Sequence, residues 1–143
     1  MDKIQSLKGM IDLIGNKYLP DDFAQSIFRT EEALKNIFKN YGYSEIRTPA
    51  LEDLNLFKRS VGDSSDIVNK ELYSFLDKNE KIITLRPEGT ASVIRSVIEK
   101  KIDGNAHKLW YMGPMWRYER PQKGRYRQFN QAGIEILGYP EGT

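Results

Sequence analysis

The chain has 143 residues, of which 39% are hydrophobic and 29% charged, and its 22 basic and 20 acidic side chains leave a formal charge of +2. This composition fits about one folded domain and excludes a disordered chain, and so small a net charge means that any basic character must be local. With no cysteine there is no disulfide framework or thiolate chemistry; with no apolar run near the roughly 18 residues of a membrane span and no apolar stretch at residues 1–6, a cytoplasmic protein is the expectation.

Residues 1–20, punctuated by Gly9, Gly15 and Pro20, read as an irregular leader. Asp21 and Asp22 are N-cap residues for a helix over 22–41, because Ile27, Leu34, Ile37, Phe38 and Tyr41 recur at helical spacing until Gly42. "YSEIRTP" (43–49) reads as a short strand stopped by Pro49. Residues 51–70 are ambiguous, helical through "LEDLNLFKRSVG" and loop-like through "DSSDIVNK". "ELYSF" and "KIITLR" flank a polar "LDKNE" and predict a β-hairpin.

A further helix is predicted to start near 88–90, with Val93, Ile94, Val97, Ile98 and Ile102 as its apolar positions and its amide-rich start as a plausible ligand edge. "KLWYMGPMWRYE" and "RQFNQAGIEIL" then form a long antiparallel hairpin around "RPQKGRY". The order of elements predicts an α+β fold, an antiparallel sheet with flanking helices. "PEGT" occurs at 87–90 and again at 140–143; nothing around the two copies matches, so the repeat reads as coincidence.

Four arginines and a lysine fall between Arg117 and Arg127, offset only by Glu119. Strand parity divides the second arm of the hairpin into two faces. Gln128, Asn130, Ala132, Ile134 and Ile136 share one, which ends apolar and is expected to face the core; Arg127, Phe129, Gln131, Gly133, Glu135 and Leu137 share the other. Antiparallel pairing can bring Arg117 and Glu119 beside Arg127 and Phe129. Arginine's planar fork matches phosphate oxygens, an aromatic ring offers a base a stacking surface, and Gly133 would leave room over the sheet for a ligand. A nucleotide meeting a small amine near Glu135 would fill such a groove. An RNA-binding patch built on Lys123, Arg125 and Arg127, and a merely solvated hairpin, stay open beside it. His107 is the only histidine, which leaves no histidine metal cluster, and neither GxxxxGK[ST] nor GxGxxG occurs.

"TLRPEGTA" followed by "YMGPMWRYERPQKGRYRQFNQAGIEILG", with "GYSEIRTPALEDLNLFKRSVGDSSDIVNKELYSF" before them, resembles the histidyl-tRNA synthetases, a family of class II aminoacyl-tRNA synthetases, from about Gly9 to Gly138. The resemblance implies the N-terminal portion of a class II catalytic domain over 1–143. The first motif would lie at about 43–59, the amino-acid loop at 86–91 and the second motif at about 110–138. It further implies ligation of histidine to its tRNA through histidyl-adenylate, with ATP and Mg²⁺, by a homodimer formed around Pro49. Arg117 would hold the α-phosphate and Phe129 would stack on adenine. Glu119 and Arg125 would line the ATP side and the approach of the tRNA end. Glu88, Gly89 and Thr90 would receive the amino acid, the glutamate taking its ammonium, and Gln131 and Glu135 would contact ATP or histidine.

Asn130 stands where the family commonly has histidine, on the face opposite Gln131, so little effect on the site is expected. The third motif, the histidine-specific segment with its catalytic arginine and the anticodon-binding domain are not in these 143 residues, which alone are expected to form at most a partial ligand-binding unit. Two other readings remain: the non-ligating regulatory paralogue that serves ATP-phosphoribosyltransferase in histidine biosynthesis, which intact "RPEGT" and "ERPQKGRYRQF" disfavour, and an RNA-binding fragment.

Overall fold

The computed structural model describes residues 1–18 and 21–140; Pro20 and residues 141–143 of the second "PEGT" lie outside them. The fold is α+β, as its segment order predicts. Helix α1 (Asp22–Asn40) is followed by strands β1 (Ser44–Glu45) and β2 (Leu51–Asp53), helix α2 (Leu54–Val61) and a π-helical turn (Ile67–Glu71). Strands β3 (Ser74–Leu76) and β4 (Ile82–Leu85), helix α3 (Thr90–Glu99) and the long strands β5 (His107–Trp116) and β6 (Gln128–Leu137) complete the order. Among the described residues two three-stranded sheets form, β1-β5-β6 and β2-β4-β3. All pairings are antiparallel except β1 with β5.

The β5–β6 hairpin is unbroken from His107↔Leu137 to Trp116↔Gln128, and Arg117 N–H continues it to Arg127 O at 2.9 Å. Pro114 is tolerated inside β5 because β1 has ended at the Trp110 level, so no neighbour needs its missing N–H. The leader closes on the hairpin's open end: Gly9 O accepts from Arg127 N at 2.8 Å and Gln128 N at 3.2 Å. Gly9 is required there twice over, by its φ of +79° and because a methyl group on it would stand 2.8 Å from Arg127 Cγ.

Asp21 caps α1 through Ala24 N at 3.0 Å, and Gly42, with φ +79°, ends it. Ala24 is buried and Ile27, Glu31, Leu34 and Phe38 are half-buried, which marks the stripe laid on the sheet. Phe38 meets Trp110 with ring centroids 5.4 Å apart, while Ile37 and Tyr41, from the predicted apolar set, stay exposed. Helix α3 packs on the opposite face, where Val93, Tyr111 and Met115 form a core cluster joined by Ile46, Leu109 and Phe129. It ends at Glu99, short of Ile102.

The expected core face of β6 is therefore the wrong one. Ile134 is 46% and Ile136 53% exposed, whereas Phe129, Gln131, Gly133 and Glu135 lie half-buried beneath α3. Their partners across the ladder are Met115, Gly113, Tyr111 and Leu109, so the core cluster sits on the same face as the candidate site residues.

The ambiguous segment 51–70 resolves into β2, α2 and the π-helical turn, and Arg86 ties residues 48–50, just before it, to the hairpin. Its guanidinium donates to Thr48 O at 2.6 Å and Pro114 O at 3.1 Å, and its own N–H bonds Ala50 O at 2.9 Å. Burial lowers the Arg86 pKa, opposed by the nearby Glu52.

Asp53 caps α2, accepting from Asn55 N at 2.9 Å and pairing with Lys81 Nζ at 3.1 Å. The Asn55 N–H, and then Lys81, hold its carboxyl below its ordinary range. A depressed folded pKa contributes stability that is present above the unfolded pKa and lost as pH falls through the folded one. Asp53→Ala is expected to cost about 1 kcal/mol in urea unfolding at neutral pH, and the gap should narrow in acid; a gap independent of pH would show that the carboxylate is not what stabilises α2.

Candidate functional site

The chain passes from β4 into α3 through the turn at 87–90, and side chains of the hairpin fasten this turn to the sheet. Arg117 Nε donates to Pro87 O at 2.9 Å. Gln131 Oε1 accepts from Gly89 N at 2.9 Å, and Glu135 Oε1 accepts from the Thr90 hydroxyl at 2.7 Å. Arg117, Phe129, Gln131 and Glu135 share a face because they fall at odd positions of paired strands in a register that sets 115 against 129 and 113 against 131.

The start of α3 is not an open amide edge. Glu88 folds back and accepts from Thr90 N at 2.6 Å and Ala91 N at 3.0 Å, so those donors are engaged by the chain's own carboxylate. Two carboxylates, Glu88 and Glu135, thus converge on Thr90 and create a local negative potential suited to a cationic amine. At the other end of the face the Arg117 guanidinium lies 5.3 Å from the Phe129 ring centroid, an arrangement that fixes its plane beside an aromatic surface. The face is anionic at one end, cationic and aromatic at the other.

The structure brings Glu88, Gly89, Thr90, Arg117, Phe129, Gln131 and Glu135 together and leaves the other two predicted residues at the margin. Glu119 joins through its main chain, its O accepting from Arg127 Nε at 3.0 Å. Arg125 is exposed at the loop tip, where its N–H bonds Gln122 O at 2.9 Å. Arg127, read from parity as part of the working face, instead stacks on Tyr118 at 3.9 Å and braces the hairpin. Asn130, on the opposite face, donates to Glu31 at 3.2 Å, and the ring of His107 bonds Ile102 O at 2.7 Å.

Gly133 does not leave space for a ligand. A methyl group on it would overlap the ring of Tyr111, and so would one on Gly89. Tyr111 went unnoticed in the sequence because only the register, which sets it opposite Gly133, reveals what the glycine accommodates. Burial raises the Tyr111 pKa, opposed by the neighbouring Thr90 and reinforced by the charges of Glu135 and Glu88.

A cleft of about 990 Å³ opens between α2 and α3, lined by Leu56, Ile94 and Ile98 and reaching Glu88, Thr90 and Arg117 at one end. Among the described residues no three histidine, aspartate or glutamate side chains are grouped to hold a metal ion, and no helix is long and apolar enough to cross a membrane.

The family model described as histidyl-tRNA synthetase matches residues 16–142. A histidine–tRNA ligase of Desulfitobacterium hafniense (strain DSM 10664 / DCB-2) is 59% identical over 110 residues, 76% of this chain and 26% of that protein. One of Legionella pneumophila (strain Lens) is 53% identical over 140 residues, 96% of this chain and 31% of that protein. The chain thus spans between a quarter and a third of the curated relatives it matches. Among solved structures, the apo histidyl-tRNA synthetase of S. aureus superposes with a TM-score of 0.71 at 39% identity, covering 94% of this chain and 29% of that one. An ATP phosphoribosyltransferase regulatory subunit/histidyl-tRNA synthetase from Bacillus halodurans has the same TM-score at 25% identity, over 92% of this chain and 32% of its own.

Replacing Gln131 by Leu removes the partner of the half-buried Gly89 N–H and is expected to cost about 1–3 kcal/mol. Asn130→Ala, on the other face, should stay within about 0.5 kcal/mol of the parent. Urea unfolding of the two variants checks the assignment of faces, and equal losses would contradict it.

Proposed function

The chain belongs to the histidyl-tRNA synthetase family, and from that membership we propose that it is the N-terminal part of the catalytic domain of a histidine–tRNA ligase. Its first motif is assigned to about 43–59, its amino-acid loop to 86–91 and its second motif to about 110–138. The observation that carries the reading is the polarity of one continuous face: a guanidinium beside an aromatic ring at one end and two carboxylates around a hydroxyl at the other.

In the proposed reaction the carboxylate of histidine attacks the α-phosphorus of ATP. A bond forms from that oxygen to phosphorus, and the bond to the bridging oxygen of pyrophosphate breaks. Arg117 stabilises the charge on the five-coordinate phosphorus, and Phe129 stacks on adenine. Nothing in this step requires a protein nucleophile; positioning and fixed positive charge suffice. Mg²⁺ enters as part of the ATP substrate. Glu88 turns from its cap on α3 to the substrate ammonium, assisted by Thr90 and Gln131, while Glu135 meets the polar ring of the side chain. Desolvated carboxylates discriminate strongly against substrates that lack the matching donors.

A ribose hydroxyl at the tRNA end then attacks the acyl carbon and releases AMP. Arg125 at the exposed loop tip, with Glu119 at the root of the loop, is assigned to the approach of the tRNA. The segment around Pro49, held by Arg86 between the two sheets, is assigned to a homodimer contact. The regulatory reading draws on the Bacillus halodurans structure, but the higher identity to the ligases and the intact 86–90 loop favour ligation.

In the full-length protein that carries these residues, Arg117→Ala should lower histidine-dependent ATP–pyrophosphate exchange by about 10²- to 10³-fold and leave tRNA affinity within about threefold. Reduced tRNA affinity with intact exchange would favour the RNA-binding reading instead.

A further inference from the structure

Arg86 leads into the turn at 87–90 and takes no part in the proposed chemistry, yet its side chain binds two separate segments at once. Nε donates to Pro114 O at 3.1 Å, and Nη1 donates to Thr48 O at 2.6 Å and Thr48 Oγ1 at 3.2 Å. Its main chain bridges the same two segments: Arg86 N donates to Ala50 O at 2.9 Å, and Arg86 O accepts from Trp116 N at 3.0 Å. Among the described residues its guanidinium pairs with no carboxylate, and Glu52 is engaged by Arg95 at 2.9 Å. A half-buried charge bonded to neutral oxygens of two segments serves to fix geometry, and the planar fork is the group that reaches both.

That geometry is passed to Arg117 by a double contact. Arg86 O meets Trp116 N, and the next carbonyl, Pro87 O, accepts from Arg117 Nε at 2.9 Å. Pro87 is fully buried and its ring fixes φ, so the place of its carbonyl follows closely from that of residue 86. The sheet leaves room for the fork. Gly113 lies in β5 between Tyr111 and Met115, on the face that carries the site. A methyl group on Gly113 would meet Arg86 Nη2 at 3.1 Å and, beyond its own chain neighbours, no other described atom within 4 Å. A larger residue there presses on the guanidinium.

We propose that Arg86 is a positioning residue for adenylate formation. By binding Thr48 and Pro114 it fixes the main chain at 86–87, and through the Pro87 carbonyl that main chain orients the Arg117 guanidinium toward the α-phosphate. The far end of the turn is held separately, Gly89 by Gln131 and Thr90 by Glu135, so Arg86 acts on the phosphate end of the face and not on the amino-acid end. This inference rests on the reading of Arg117 as the residue that holds the α-phosphate.

The test is steady-state ATP–pyrophosphate exchange by the full-length protein, with kcat and the KM for histidine determined separately. Arg86→Met keeps the apolar stem and removes the fork. It should lower kcat about 10- to 10²-fold, the effect of a misplaced catalytic group, and leave the KM for histidine within about threefold. Arg86→Lys, which keeps the charge without the fork, should lose kcat in the same range. In an Arg117→Ala background, adding Arg86→Met should change kcat by less than about twofold, because the two act through one guanidinium. Gly113→Ala retains every donor and decides the matter if Arg86→Met does not fold: it should lower kcat about two- to threefold, as for a weakened hydrogen bond, and have no effect on top of Arg117→Ala. Parental kcat in Arg86→Lys or Gly113→Ala, a loss confined to the KM for histidine, or effects that multiply with Arg117→Ala would overturn this inference alone. Absence of histidine-dependent exchange in the parent would overturn the functional reading and this inference with it.

Discussion

Three hydrogen bonds between the hairpin and the turn at 87–90 hold the candidate site together. Arg117, Gln131 and Glu135 reach the carbonyl of Pro87, the amide of Gly89 and the hydroxyl of Thr90. Each bond is worth little net in water, but all three act on one short turn, and without them the Gly89 amide and the Pro87 carbonyl would be partly buried and unpaired. The turn is also the start of α3, so the same contacts determine where that helix lies on the sheet. Fold and site are coupled at this junction.

The coupling explains why one sheet face carries both the core cluster and the candidate site. Val93, Tyr111 and Met115 fill the part of the face beneath α3, and the polar residues continue it past the helix start. Gly89 and Gly133 permit this because each admits the edge of the Tyr111 ring. The opposite face carries α1 over Trp110 and leaves Ile134 and Ile136 exposed. Arg86 performs a similar task between the sheets, where carbonyls of Thr48 and Pro114 surround its charge. Apart from the bond between Glu135 and the Thr90 hydroxyl, both links are made of side chains reaching main-chain groups, which a local sequence pattern does not disclose.

What could be read in advance follows from the range of each interaction. Helix α1 was legible because its cap, its apolar spacing and Gly42 are all local signals. The long hairpin was legible for the same reason, and parity grouped Phe129, Gln131 and Glu135 correctly. Parity could not say which face would receive α3, since helix placement depends on contacts between Val93 and Tyr111 that are distant in sequence. The apolar pair Ile134 and Ile136 therefore pointed to the wrong core face. Arg127 was grouped with the site by position, but Tyr118 draws its guanidinium away. Glu88 was named as a candidate through resemblance alone, whereas its role as the cap of α3 needed coordinates.

The central claim is that one face of the hairpin, closed by the turn at 87–90, receives both nucleotide and amino acid. Its most direct test is a crystal structure of the full-length protein with a non-hydrolysable acyl-sulfamate analogue of histidyl-adenylate. The account predicts adenine against Phe129, the sulfamoyl group at Arg117, and the imidazole between Thr90 and Glu135. Density for the analogue on the face of Ile134 and Ile136, or confined to the cleft between α2 and α3, would contradict it.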